Sequence, residues 1–325
     1  MKHALGWALL ALFAVLITAC GGSGDDADLA GATPSPASTP SHSPTAGAAP
    51  TFPVTVGSGD TAVEVPARPE RIVSLSATAT EMLFAIDAGE QVVAVDEHSD
   101  FPEGVPTTDL SGFEPNVEAI SSHDPDLVVA SFDPGELVSS LAAVGVPTLL
   151  HPAAATLDDT YTQIEQLGVA TGHVAEAAAL VAEMQADIEA IVEELPERSE
   201  PLTFYHELDP NFFSVTSATF IGELYSLLGM KSIGDEAADQ GGGYPQLSPE
   251  FIVDADPDVI LLADAECCGI TAEEIARRPG WDQLTAVREG RIVELDEDVA
   301  SRWGPRVVEF LRTLAAEVAA FEPVG

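Results

Sequence analysis

Glu118-Ala-Ile-Ser-Ser-His-Asp-Pro-Asp-Leu-Val-Val returns in the second half of the chain as Glu250-Phe-Ile-Val-Asp-Ala-Asp-Pro-Asp-Val-Ile-Leu. The glutamate, the isoleucine two places on, the Asp-Pro-Asp and the apolar run keep one spacing in both copies. Each copy reads as one physical unit. A polar cap, Asn116 in one and Ser248 followed by Pro249 in the other, opens a short helix with the glutamate in its first turn. Asp-Pro-Asp stops that helix, because the residue before proline is pushed out of the α region. The apolar, β-branched run that follows reads as a buried strand. The copies lie too far apart for a solenoid, whose period is about 20–50 residues. The pattern predicts two similar lobes with a cleft between them, each lobe placing one carboxylate in the same local setting.

The surrounding sequence agrees. Val54–Val65 reads as a hairpin around a glycine-rich turn. Arg71–Leu75, Val92–Val95, Leu127–Ala130 and Thr148–Leu150 read as strands, separated by helices near Glu81–Ala88, Glu118 and Pro134–Val144. Thr78-Ala-Thr-Glu81 reads as the capping box of the first helix. Residues 174–195 then run without Gly or Pro, with Leu180, Met184, Ile188, Ile191 and Leu195 at helical spacing. Such a helix is roughly 33 Å long at about 1.5 Å per residue and offers no hinge. The alternation resumes with strand Leu202–Tyr205, helix Phe220–Leu228, the capped helix at Glu250, strands Val259–Leu262 and Ile292–Leu295, and a last helix Pro305–Phe321. The expected fold class is therefore α/β. Two parallel-sheet lobes, 51–172 and 197–325, are joined by one long rigid α-helix at 173–196, with the ligand cleft between them.

Lys2 and His3 precede an apolar stretch from Ala4 to Ile17, shorter than the ~20 residues of a membrane helix, and Thr18-Ala19-Cys20 follows. This resembles a bacterial lipoprotein signal. Residues 1–19 are expected to be a signal peptide and Cys20 a lipidated N-terminus, anchoring the protein to the cell membrane at its extracytoplasmic face. Residues 20–50, rich in Gly, Ser, Thr, Ala and Pro, cannot bury enough apolar surface to fold and read as a disordered tether. A net charge of −42 disfavours nucleic acid, anionic membrane surfaces and a strongly anionic ligand. Cys267 and Cys268 are adjacent, with Cα atoms ~3.8 Å apart across a trans peptide, below the usual ~4.4 Å for a disulfide. A vicinal bridge there would be strained, yet an oxidising compartment permits it. The sequence leaves the pairing open.

Pro69-Glu-Arg-Ile-Val-Ser-Leu-Ser-Ala-Thr-Ala-Thr-Glu81, Asn116-Val-Glu-Ala-Ile with its Asp-Pro-Asp strand, Leu247-Ser-Pro-Glu250 and Trp303-Gly-Pro-Arg306 carry a resemblance that spans the folded part of the chain. In their order, and with the Cys20 signal and the mid-chain helix, they resemble the substrate-binding proteins of bacterial ABC importers for ferric siderophores, haem and cobalamin. The resemblance implies a non-enzymatic lipoprotein with no resident cofactor or metal. It would capture a ferric-siderophore or corrinoid-type chelate, or haem, and deliver it to an ABC permease dimer with its cytoplasmic ATPase. It also implies that Glu118 and Glu250 dock the two lobes onto arginines of the two permease subunits. A first-turn glutamate also complements its helix dipole, worth ~0.3–1 kcal/mol.

Open parallel sheets bind ligands beyond the carboxyl ends of their strands. His98, Phe113, Ser131, Phe132, Tyr205, His206, Phe212, Tyr244, Arg302 and Trp303 fall there. Aromatics suit a large flat or greasy chelate, although any one of them would serve equally in a lobe core. Tyr244 stands out because Gly241-Gly-Gly243 and Pro245 flank it as a loop. Arg302 suits a ligand carboxylate or phosphate. Either Tyr205 or His206 suits haem iron, and strand alternation turns only one of them to the cleft. The scarcity of basic residues disfavours catecholate-type chelates and leaves hydroxamate-type chelates, corrinoids and haem. A bare-metal binder needs three or four converging ligands, and histidines 42, 98, 123, 151, 173 and 206 form no paired motif. For an extracytoplasmic enzyme, Cys267 or a histidine offers a nucleophile or base, but no Gly-x-Ser-x-Gly, phosphate-loop or zincin pattern is present.

Overall fold

Ile72–Leu75, Leu127–Ala130 and Val259–Leu262 are buried at every position, as strands covered on both faces are. The computed structural model describes residues 50–57, 62–237 and 242–321; the expected signal peptide, Cys20 and nearly all of the tether lie outside them. A hairpin of β1 (Val54–Val56) and β2 (Val63–Val65) comes first. The first lobe follows with β3 (Ile72–Leu75), α1 (Ala77–Ala85), β4 (Val92–Asp96), β5 (Thr107–Leu110), α2 (Val117–Ser121), β6 (Leu127–Ala130), α3 (Leu137–Ala143) and β7 (Thr148–Leu150). Its five strands form an all-parallel sheet in the order β5-β4-β3-β6-β7.

Two helices, α4 (Leu157–Thr171) and α5 (Val174–Glu193), lead to the second lobe. There β8 (Leu202–Glu207), α6 (Phe220–Leu227), β9 (Met230–Ser232), α7 (Pro249–Ala255) and β10 (Val259–Leu262) repeat the first-lobe pattern. The chain closes with α8 (Ala265–Cys268), α9 (Ala272–Arg277), α10 (Thr285–Arg288), β11 (Ile292–Glu294), α11 (Glu297–Ser301) and α12 (Val307–Ala319). The second sheet, β9-β8-β10-β11, is also all parallel and matches the first without its β5 edge.

The repeated sequence performs the same task in both lobes. Asn116 Oδ1 accepts from the Ala119 N–H at 3.0 Å, and Ser248 Oγ from the Phe251 N–H at 3.1 Å, capping α2 and α7. Asp124 and Asp256, each before its proline, end their helices at positive φ, 48° and 44°. The last Asp of each motif is a latch. The Asp126 carboxylate accepts from the N–H groups of Glu70 and Arg71 at 2.9 and 3.0 Å, while its own N–H donates to the Arg71 carbonyl. Asp258 accepts from the Thr203 N–H and hydroxyl at 2.8 and 2.9 Å and donates back to the Thr203 carbonyl. Each latch fixes the register of a central strand pair, β6 on β3 or β10 on β8.

The long helix lies where its unbroken apolar stripe placed it, with Ala177, Val181, Met184, Ile188 and Ile191 buried. It has a companion. α4 packs along it, turning through Gly172 at φ 85°, and α5 also rests on α12. A single apolar core runs through Ile72, Ile164, Met184, Phe204 and Leu311, tying both lobes to this helical layer. The Thr78–Glu81 capping box is not formed. Ser76 caps α1 instead, accepting from the Ala79 N–H at 3.2 Å, so Glu81 lies inside the helix and buried. Among the described residues, no helix is long and apolar enough to cross a membrane.

Candidate functional site

The carboxyl ends of β3, β4 and β6 open onto a cavity of about 530 Å³ between the lobes. The first lobe contributes His98, Phe113, Ser131 and Phe132; the second contributes Asp298, Ser301, Arg302 and Trp303. His98 meets the edge of Phe113 with centroids 5.7 Å apart, and Phe113 lies 5.4 Å from Phe132. Phe113 and Phe132 are 60% and 46% exposed, a greasy floor with no protein over it. Trp303 is held in place by its Nε1–H, which donates to Gln163 Oε1 at 2.9 Å, and its carbonyl accepts from the Thr160 hydroxyl.

Arg302 lines the cavity, but its guanidinium is already occupied. It donates to Glu81 Oε1 at 2.9 Å, Asp100 Oδ1 at 2.8 Å, Asp298 Oδ1 at 2.6 Å and the His98 carbonyl at 3.2 Å. Arg306 grips both oxygens of the same Glu81, at 2.6 and 3.0 Å. The expectation that Arg302 meets a ligand anion thus gives way to a different role, tying the second lobe to the first. Glu81, buried between two arginines, joins the lobes, a role that its expected place in a capping box did not indicate. The available signal was a carboxylate among Ala79, Met82 and Leu83 on an apolar helix.

A second chamber of about 320 Å³ adjoins the first, sharing Asp298 and Ser301 with it. His206, Leu208, Ile221, Ala263, Glu297 and Ala300 complete its walls. His206 is wholly buried; its Nδ1 lies 2.8 Å from the Tyr225 hydroxyl and its Nε2 has no protein partner. Burial pushes its pKa down to about 3, so the imidazole is neutral throughout the physiological range.

Three other expected contacts lie elsewhere. Tyr205 points to the opposite face of β8 from His206, packing 5.9 Å from Trp281 and donating its hydroxyl to Glu207 Oε2 at 3.0 Å. Phe212, at φ 65°, stacks against Trp281 and beneath the Arg278 guanidinium in the same lobe. Tyr244 is 42% exposed and lines neither chamber. Its loop is zipped to the neighbouring segment, because the Ser214 and Thr216 N–H groups donate to the Pro245 and Gly243 carbonyls at 2.9 Å. That pairing holds the ring on the surface.

Beneath the second lobe's chamber, Arg278 donates twice to Glu207, at 2.5 Å each. Asp264 is wholly buried nearby; burial first, then the Glu207 charge, lifts its carboxyl to about 7. Cys267 and Cys268 are bonded to each other in α8, which answers the pairing question the sequence left open. Glu118 and Glu250 stand exposed in the first turns of α2 and α7. Among the described residues, no group of three or more His, Cys, Asp and Glu is arranged to hold a metal ion.

An aromatic cleft between two latched parallel-sheet lobes has close counterparts. The chain is 30% identical, over 98% of both sequences, to the uncharacterized ABC transporter substrate-binding lipoprotein YvrC of Bacillus subtilis. It is 30% identical over 81% of its length to a cobalamin-binding protein of Halobacterium salinarum, covering 73% of that protein. Among solved structures, the periplasmic heme-binding protein RhuT of Roseiflexus superposes with a TM-score of 0.67 at 27% identity, over 77% of this chain and 98% of that one. The Periplasmic binding protein family matches residues 72–299, and the chain belongs to that family, among the substrate-binding proteins of ABC transporters.

Proposed function

We propose that this is an extracytoplasmic substrate-binding lipoprotein, anchored through Cys20, that captures a corrinoid-type chelate in the inter-lobe cleft and delivers it to an ABC importer permease. The observation that carries the reading is the cleft itself. It pairs an exposed floor of Phe113 and Phe132 with Trp303, while the guanidinium of Arg302 beside them is already committed to Glu81, Asp100 and Asp298. A large chelate with uncharged amide arms covers the aromatics without asking for a cation. Haem propionates would find Arg302 occupied, and a ferric hydroxamate would bury less of the floor. The cobalamin-binding relative supports the same choice. His98, Phe113, Phe132 and Trp303 are the proposed contacts, and Glu118 and Glu250 the proposed permease-docking residues.

A second reading, haem, is favoured by His206, whose unpartnered Nε2 in the adjoining chamber suits an iron ligand. Titrating the purified protein separately with cyanocobalamin, ferrioxamine B and haemin decides between them. Cyanocobalamin is expected to bind at least about tenfold tighter than haemin, about 1.4 kcal/mol. Phe113→Ala should weaken it by more than about 1 kcal/mol without lowering the melting temperature. Tight haemin binding whose visible spectrum shifts in His206→Ala would replace the corrinoid reading with haem.

A further inference from the structure

Cys267 and Cys268 both lie exposed, and the cleft reading uses neither. Their α8 turn follows β10 at its carboxyl end, the end where parallel sheets hold ligands. The N–H groups of Glu266 and Cys267 both donate to Glu297 Oε1, at 2.6 and 2.9 Å. Glu297 opens α11 and lines the chamber that holds His206. The same short helix carries Asp298 and Ser301 of the main cleft and leads directly into Arg302. Arg302 in turn reaches Glu81 and Asp100 of the first lobe. A continuous set of contacts thus runs from the disulfide turn, along one wall of the cleft, to the opposite lobe.

We propose that the Cys267–Cys268 bond is a redox modification site that sets the rigidity of this wall, with an external dithiol as its reductant. A thiolate of the dithiol attacks one cysteine sulfur, and the Cys267–Cys268 bond breaks. The second thiol of the reductant then displaces the resulting mixed disulfide and closes its own S–S bond. Two electrons and two protons pass to the protein, leaving two thiols. Without the covalent ring, α8 is a four-residue turn, far below the length at which a helix stands alone. Glu297 then loses its fixed donors, and the first turn of α11 is released. Exposure of both cysteines gives the reductant access, and no other described residue is a cysteine that could recapture either thiol. The inference goes beyond the proposed function and holds whichever ligand the cleft takes.

The test uses the full chain without ligand. Native protein is treated with dithiothreitol and alkylated with iodoacetamide, and the labels are mapped by mass spectrometry. Amide hydrogen exchange of 264–269 and 297–303 is followed in parallel. Reduction should place labels on Cys267 and Cys268 and speed exchange in both segments by about fivefold or more, leaving 72–75 unchanged. The C267S/C268S variant should reproduce this without reductant. In Glu297→Ala, reduction should speed 264–269 alone, because the link to α11 is already cut. The proposal is overturned if the bond resists dithiothreitol until the protein unfolds. It is equally overturned if 297–303 exchanges alike in oxidised, reduced and double-serine protein.

Discussion

Glu81 is the residue on which the lobe junction turns. Its buried carboxylate accepts from both Arg302 and Arg306, so neutralising it strands two guanidinium groups at partly dehydrated positions. Glu81→Gln is expected to lower the unfolding free energy by about 3 kcal/mol, measured by urea denaturation. A loss under about 1 kcal/mol would mean that Asp100 and Asp298 satisfy Arg302 unaided. Asp264 gives a pH signature of its own. Its folded carboxyl titrates near 7, whereas the ordinary value is 3.8. Between those limits the folded protein keeps a proton that the unfolded chain has released. Its contribution is therefore full below about pH 4 and is lost as pH rises through about 7. The urea midpoint should fall across that window, and Asp264→Asn should flatten the fall. The sequence showed which residue types gather at the sheet ends, and His98, Phe113, Phe132 and Trp303 do line the main cavity. It did not show Arg302 bound by Glu81, because that pairing joins residues 221 positions apart and leaves no local mark.

At the level of elements, the apolar strands and α5 were legible because their buried residues are apolar and periodic. α4 was not. It buries Leu157, Tyr161, Ile164 and Leu167 at helical spacing, but Thr160, Gln163, Gly168 and Thr171 turn inward beside them and blur the apolar face in the sequence. β5 was missed for the same reason, since only Leu110 of its four residues is both apolar and buried. The glycine within α4 is functional packing. A Cβ at Gly168 would stand 2.5 Å from the Ala177 Cβ and 3.0 Å from the His173 carbonyl oxygen. Gly168→Ala should therefore destabilise the protein by about 1–3 kcal/mol, although alanine is the better helix former. A raised melting temperature would show that α4 and α5 can separate at no cost.

For the molecule as a whole, the paired α4 and α5, the shared core and the Glu81 cluster leave the lobes little freedom to close. Small-angle scattering should give nearly the same radius of gyration with and without bound cyanocobalamin; a large contraction would place a hinge in α4 or α5. Docking is separable from capture. Glu118→Arg with Glu250→Arg should abolish uptake in reconstituted vesicles while ligand affinity stays unchanged, and uptake at the original rate would remove both residues from the docking surface. The two residues also bear on how encounters succeed. Because Asp126 and Asp258 fix the same strand pair in each lobe, Glu118 and Glu250 occupy equivalent places on two halves of one chain. If Glu118 and Glu250 dock as proposed, a permease with two matching halves can meet either glutamate with either half. Such a carrier has two productive headings instead of one, so an unsymmetrical polypeptide approaches its partner with the odds of a symmetrical one.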